Sequence, residues 1–237
     1  MATIAPARAG LLSFWQKMSL GISAFIVFGF AQFALRGFVN YGKAPAIVHV
    51  HGGVMLAWLG LLCTQSLLVG RGNHALHRKL GWVSVILLPL VVALASLTCL
   101  NALRAGAQPP FFTPAYFLAL VHVGALVFAA LATLALARRR QPEWHRRLMV
   151  GSTILLMEPA LGRLLPMPLI MPWGGWAVLA VQLGPALLLV AHDRRTIGRL
   201  HPATFAVVLS LVFTHALMEL LAITPAWQAL AASLAAG

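Results

Sequence analysis

The residues with the clearest capacity for chemistry are histidines arranged in two matching pairs. His51 precedes His77 by 26 positions, and His122 precedes His145 by 23. The second member of each pair opens a near-repeat. Residues 76–88 read LHRKLGWVSVILL and residues 144–156 read WHRRLMVGSTILL, identical at seven of thirteen positions without a gap. An Ile-Leu-Leu match is common in apolar helices, so the His-Arg-basic-Leu part carries the comparison. Neutral imidazole is the commonest protein metal ligand. Two imidazole pairs stacked at two depths suit two b-type haems, each iron taking one nitrogen from either side and each remaining N–H needing an acceptor.

The elements that must position these histidines are transmembrane helices. The 237 residues are 61% hydrophobic and only 9% charged, and mean hydropathy is +0.90. A soluble domain is about half apolar and about a quarter charged. A bilayer core needs about 20 apolar residues as helix. Seven segments qualify: helix 1 at Ser13–Leu35, helix 2 at Pro45–Val69, helix 3 at Gly81–Leu103, helix 4 at Pro114–Ala137, helix 5 at Leu148–Ile170, helix 6 at Gly175–Ala191 and helix 7 at Ala203–Ile223. Pro159, Pro166 and Pro168 predict a kink or early end in helix 5. The expected fold is an all-α integral membrane protein forming one domain over residues 1–237. Helices 2–5, about 45–170, form its cofactor-binding four-helix bundle from two parallel repeated hairpins, with helices 1, 6 and 7 peripheral.

The formal charge of +13 does not point to nucleic acid, because the basic residues sit in short clusters between apolar runs. Arg8 and Lys17 lie at helix 1. Arg71, Arg78 and Lys79 lie between helices 2 and 3, Arg138–Arg140, Arg146 and Arg147 between 4 and 5, and Arg194, Arg195 and Arg199 between 6 and 7. All these fall on one side, against Arg36, Lys43 and Arg104 on the other. The positive-inside rule then predicts a bacterial inner-membrane protein with a cytoplasmic N-terminus and an outer C-terminus. Trp15, Trp82 and Trp144 mark the inner interface, and Trp173, Trp176 and Trp227 the outer one. Helix 1 reads as an uncleaved anchor rather than a signal peptide. Cys63 and Cys99 fall at different depths and read as packing residues, not a disulfide.

On these boundaries His51 lies about 9 Å and His122 about 12 Å below the outer ends of their helices. The pseudo-two-fold sets His51 opposite His122, and His77 opposite His145 at the inner edge. Gly52, Gly53 and Gly124 would let a flat macrocycle approach, and helix packing explains them equally well. Arg78, Lys79, Arg146 and Arg147 could pair with haem propionates, alongside their positive-inside role. His49 faces away from the His51 site, and His74, His192 and His201 read as loop residues.

Glu158, Arg163, His215 and Glu219 fall inside apolar helices, where such residues face the interior and pair. His215 and Glu219 share a face, and a Glu219–Arg163 ion pair is expected. Three readings stay open: an outer copper, iron or zinc site of His51, His122, His215 and Glu219; a proton or ion relay of Glu158, His215 and Glu219; or a polar network that fixes packing. Gln65 and Gln182 read as interhelical hydrogen-bond partners.

The stretch HGGVMLAWLGLLCTQSLLVGRGNHALH, ending in His74-Ala-Leu-His77, resembles the segment between the first two ligands of the diheme, ascorbate-reducible transmembrane b-type cytochromes. The resemblance covers residues 45–170. It implies haem b, one or two per chain, on His51, His122, His77 and His145, with Arg78, Arg146 and Arg163 as supporting residues. It also implies electron transfer within or across the membrane with a quinone or redox protein as partner. The family has six helices, so helix 7 is extra, and the segment 138–143 does not look like an ascorbate site. The chain is also similar to a group of uncharacterised bacterial membrane proteins carrying His-Arg-x-Leu-Gly, some of whose relatives assist cytochrome oxidase assembly. Delivery of haem or copper to an oxidase, and solute or ion transport through the intramembrane Glu, Arg and His, are the alternative functions. No nucleotide loop, CxxC or Ser-His-Asp arrangement points to soluble-type enzymology.

Overall fold

The computed structural model describes residues 12–236, so Arg8 lies outside the described residues. Ser13 starts the first helix, α1 (Phe14–Leu35), through a capping box in which Ser13 and Gln16 satisfy each other's backbone N–H. The chain continues through α2 (Ala46–Gly70), α3 (His74–Gly81), α4 (Val83–Arg104), α5 (Pro114–Ala137), α6 (Pro142–Leu155), α7 (Glu158–Leu164), α8 (Met167–Ile170), α9 (Gly174–Ile197), α10 (Pro202–Ile223) and α11 (Pro225–Ala236). Among the described residues six helices are long and apolar enough to cross a membrane: α1, α2, the joined α3–α4 segment His74–Arg104, α5, α9 and α10. Leu56, Ile86, Leu126, Leu187 and Phe213 are exposed along them, as lipid contact requires. The chain is a multi-pass membrane protein.

The expected helix 5 is not one rod. Pro159 has no N–H and its ring clashes with the carbonyl four residues back, that of Leu155. The helix accordingly stops at Leu155, turns at Leu156–Met157, and restarts as α7. A free carbonyl in a dry interior costs several kcal/mol if left bare, roughly. Gln182 of α9 supplies the missing donor: its Nε2 lies 3.1 Å from the Ile154 oxygen and 3.3 Å from that of Leu155. Pro166 and Pro168 then cut off α7 and confine α8 to one turn.

Within the expected four-helix bundle, α2 packs on α4, α4 on α5, and α5 on α6. The circuit closes through a fifth helix, because α1 lies against α2 on one side and α6–α7 on the other. Helix 1 is therefore not peripheral. Two small residues let it approach: a Cβ on Gly29 would lie 2.8 Å from the Ala160 Cβ. Trp58 of α2 and Phe128 of α5, both buried, meet edge-to-face across the circuit at 5.1 Å. Outside it, α10 packs on α5 and α6, and α9 on α10. Gly151 permits the α6–α10 crossing, since a Cβ there would lie 2.1 Å from Val207 Cγ2. The predicted helix 6 runs longer than expected, to Ile197, which places His192 in a helix and stacked on Phe14 at 3.9 Å. His74 likewise begins α3 rather than lying in a loop. At the end opposite the basic loops, α11 docks on α5 through Trp227, whose indole N–H donates to the Ala115 carbonyl at 2.9 Å. Cys63 and Cys99 are free thiols.

Candidate functional site

The two repeat histidines at the basic end come together. Asn73 caps α3 by accepting from the Leu76 N–H, which sets His77 in the first turn. Gln65 of α2 holds the same turn, donating from Nε2 to the His77 carbonyl at 3.1 Å. Pro142 opens α6 and sets His145 in its first turn. The imidazoles of His77 and His145 have ring centroids 6.3 Å apart and planes at 83°. His145 Nδ1 lies 2.9 Å from the Ala135 carbonyl. A carbonyl only accepts, so Nδ1 carries the proton and Nε2 is left as a bare lone pair. His77 Nδ1 is buried with no partner among the described residues.

The other histidine pair behaves differently. His122 is committed at both nitrogens, Nδ1 donating to the Leu118 carbonyl at 2.9 Å and Nε2 accepting from the Ser96 hydroxyl at 2.9 Å. His51 lies on α2 two turns from Trp58, on the same face, half-buried, its Nδ1 without a partner among the described residues. Ser96 was not visible as a partner in the sequence, because nothing in its surroundings marks it apart from other small helix residues. Gly124 faces α10, where a Cβ would meet Met218 at 3.6 Å, and space around Gly52 and Gly53 is open.

Charges at the basic end are paired more than the positive-inside rule requires. Arg147 and Asp193 are both 0% exposed. Arg147 donates to Asp193 Oδ1 from Nε at 2.9 Å and Nη2 at 2.5 Å, and to the Glu143 carbonyl from Nη1 at 2.9 Å. It also meets the Glu143 carboxylate. Asp193 Oδ2 accepts the His201 N–H at 3.0 Å. Arg146 pairs with Glu143 and lies over Trp15 at 4.6 Å, so it is engaged before any propionate reaches it. Partial burial works against the Glu143 charge, but hydrogen bonds from Arg147 and Arg146 outweigh it and hold the carboxyl below its ordinary range. Burial, then the Arg147 charge, lowers His201. Its Nδ1 accepts the Ala203 N–H as the cap of α10, which needs the neutral ring. His201 is thus a cap, not a bystander. Asp193 was the missed residue, and its signal was simply that one of four acids stood beside Arg194 and Arg195.

The intramembrane polar residues divide into two groups. Arg163 does not pair with Glu219. Its guanidinium lies over Phe30 at 4.2 Å and donates to the Pro159 carbonyl at 2.7 Å, because α7 turns it toward α1. His215 Nε2 lies 2.8 Å from Gln182 Oε1, continuing the cap of the broken helix. Glu219 lies instead with Tyr116 around Gly175. The four residues His51, His122, His215 and Glu219 therefore do not converge, and among the described residues no three His, Cys, Asp or Glu side chains form a metal-holding group.

No family model, curated protein or solved structure matches the chain. The chemistry rests on these side chains alone.

Proposed function

We propose that the chain is a b-type haem protein passing electrons within or across the bacterial inner membrane, N-terminus inside, with His77 and His145 as the residues that would hold the haem iron. The observation that carries this reading is the facing of the two repeat imidazoles at 6.3 Å. An imidazole nitrogen lies about 2 Å from a bound first-row metal. With the rings' own half-widths, two imidazoles sharing one metal have centroids about 6 Å apart. A bare zinc needs four ligands, and among the described residues no third His, Cys, Asp or Glu joins these two. A pair of imidazoles without further protein ligands would suit a haem, whose macrocycle would supply the rest of the iron's ligands.

Haem iron supplies a one-electron couple when bound. The protein's part is orientation. Ala135 fixes the tautomer of His145 and leaves Nε2 as the donor. Gln65 fixes the backbone of His77, and the orphaned His77 nitrogen is the group such a ligand would satisfy. Arg78 and Lys79, exposed in the same short helix, are the cations left for propionates. A second haem on His51 and His122 would require the Ser96 bond to be given up, so one haem per chain is the expected content. A quinone or redox protein is the proposed partner.

The test is a reduced-minus-oxidised visible spectrum with a pyridine haemochrome assay on purified protein expressed with haem available. About one haem per chain is expected by this ligand count, lost in His77→Ala and His145→Ala and kept in His122→Ala. Haem-free protein, or full haem in both inner variants, sinks the reading.

A further inference from the structure

We infer that the lipid-facing side of α2, with the groove between α1 and α2, is the surface on which a second copy of this chain docks. The inference goes beyond the electron-transfer reading and does not depend on haem.

Of the six spanning helices α2 is the least buried, with 17% of its spanning stretch inside the fold against 28–39% for the others. Its exposed residues from Gly53 to Thr64 are Gly53, Leu56, Ala57, Gly60 and Thr64. They recur at spacings of three and four and so form one face. Lipid-facing sides elsewhere carry large side chains, such as Ile86 and Leu97 on α4, Leu126 on α5 and Phe213 on α10. Small residues four apart, here Gly53 with Ala57 and Gly60 with Thr64, let a second backbone come close and are the pattern by which membrane helices pair. The fold itself uses neither glycine for packing. A Cβ on Gly53 or Gly60 would meet nothing within 4 Å among the described residues, whereas one on Gly29 or Gly151 would run into Ala160 or Val207.

Beside Gly60 the surface is also incomplete. Ser23, Ala24, Leu56, Leu59, Gly60 and Cys63 line a groove of about 390 Å³ between α1 and α2. A water's share of volume is about 30 Å³, so the groove has room for a neighbour's side chains. Ser23 stands about 14 Å along α1 from its start, in the middle of the span. It is only 6% exposed, and its hydroxyl has no hydrogen-bond partner among the described residues. Lipid tails offer neither donor nor acceptor, so at this depth another protein segment must supply one.

A second copy fits these features. Copies inserted in the same sense hold α2 parallel and at equal depth, so a two-fold axis along the membrane normal sets Gly53 against Gly53 and Gly60 against Gly60. Small residues then meet at each level of contact, as close approach needs. Ala46–Gly70 carries no Asp, Glu, Lys or Arg, so like residues face one another without charge repulsion. The face holds both halves of the fit. Leu56, 57% exposed, is the knob that enters the other copy's groove, and Thr64, one turn from Gly60, brings a hydroxyl to the depth of Ser23.

Fluorescence transfer between donor- and acceptor-labelled full-length chains in phosphatidylcholine vesicles, at varied protein-to-lipid ratio, tests this. A dimer is expected. Gly60→Leu should weaken it roughly tenfold or more while leaving helical circular dichroism unchanged, because its Cβ meets nothing in the single chain. Gly184→Leu, equally open on α9, should leave association unchanged. Under mild oxidation, Ala57→Cys in a chain carrying Cys63→Ser should give a disulfide-linked dimer, and Leu209→Cys on the exposed side of α10 should not. A chain that stays monomeric at every ratio, a dimer unmoved by Gly60→Leu, or equal cross-linking at both cysteine positions overturns the proposal. If Gly60→Leu does not fold, the two cysteine variants decide it.

Discussion

Removing the Asp193 carboxylate should cost more than any other single polar change in this chain. Asp193→Ala leaves the Arg147 guanidinium wholly buried, with two of its donors emptied. Breaking a buried ion pair from one side costs about 3–5 kcal/mol. Glu143 still meets Arg147, but it is largely exposed and shared with Arg146, which places the expected loss near the lower end of that range. The His201 N–H also loses its acceptor, worth about 1 kcal/mol. The sum is expected near 3–4 kcal/mol, roughly. The assay is reversible unfolding of the detergent-solubilised protein, followed by helical circular dichroism. Replacing both partners, Arg147→Met with Asp193→Leu, should recover most of the loss, because no charge is then left buried. The cost is therefore that of a stranded cation, not the worth of a favourable bond. A loss below about 1 kcal/mol for Asp193→Ala, or a double variant as weak as the single one, would refute the reasoning.

Gly151→Leu should destabilise by about 2–3 kcal/mol or prevent folding, since even its Cβ would overlap Val207, whereas Gly52→Ala should be near neutral in the same unfolding assay. Gln182→Leu strips the Ile154 and Leu155 carbonyls of their donor and His215 of its acceptor, and is expected to cost about 2–3 kcal/mol in that measurement. The Glu143 contribution follows from its lowered titration. It is fully present above the ordinary value of 4.5 and is lost as pH falls below it. His201, also lowered, resists protonation as pH falls below 6.5 and adds in the same direction. Stability measured against pH should therefore drop on the acid side, and Glu143→Gln should flatten the lower part of that drop.

Most helix ends could be read because they depend on local signals. The starts expected at Ser13, Pro114 and Ala203 fall within a residue of those of α1, α5 and α10, whereas α6 starts at Pro142 and not at the expected Leu148, because its first turns are too polar to read as part of a span. The break near Pro159 was legible for the same reason. What repairs the break was not, because Gln182 reaches it from a helix 27 residues downstream. The position of α1 was also hidden. Its fit against α7 depends on Gly29 meeting Ala160, and neither residue announces its partner. Arg147 was misread in kind. Counting basic residues by side explains where it lies along the membrane normal, but not that a lone aspartate two helices away would bury it.

The histidines show why depth and pairing are separate questions. Depth follows from residue counting, and it places His51 and His122 at matching levels inside their helices. Pairing depends on which way each ring turns, and that is decided by the nearest acceptor. On α5 the Leu118 carbonyl and Ser96 use both nitrogens of His122 locally. At the basic end, α3 and α6 begin in short polar turns, and only one nitrogen of His145 is used, by Ala135 across the α5–α6 turn. Its other nitrogen makes no hydrogen bond among the described residues, and the His77 ring lies 6.3 Å away. A histidine deep in an apolar helix looks the better ligand in sequence because nothing else there explains it. In the folded chain His122 has both its hydrogen bonds already made, which leaves His51 without a free imidazole opposite it. The pair at the membrane edge keeps a free nitrogen because its backbone is held by Asn73, Gln65 and Ala135 instead. The repeat is thus informative through what it leaves unsatisfied.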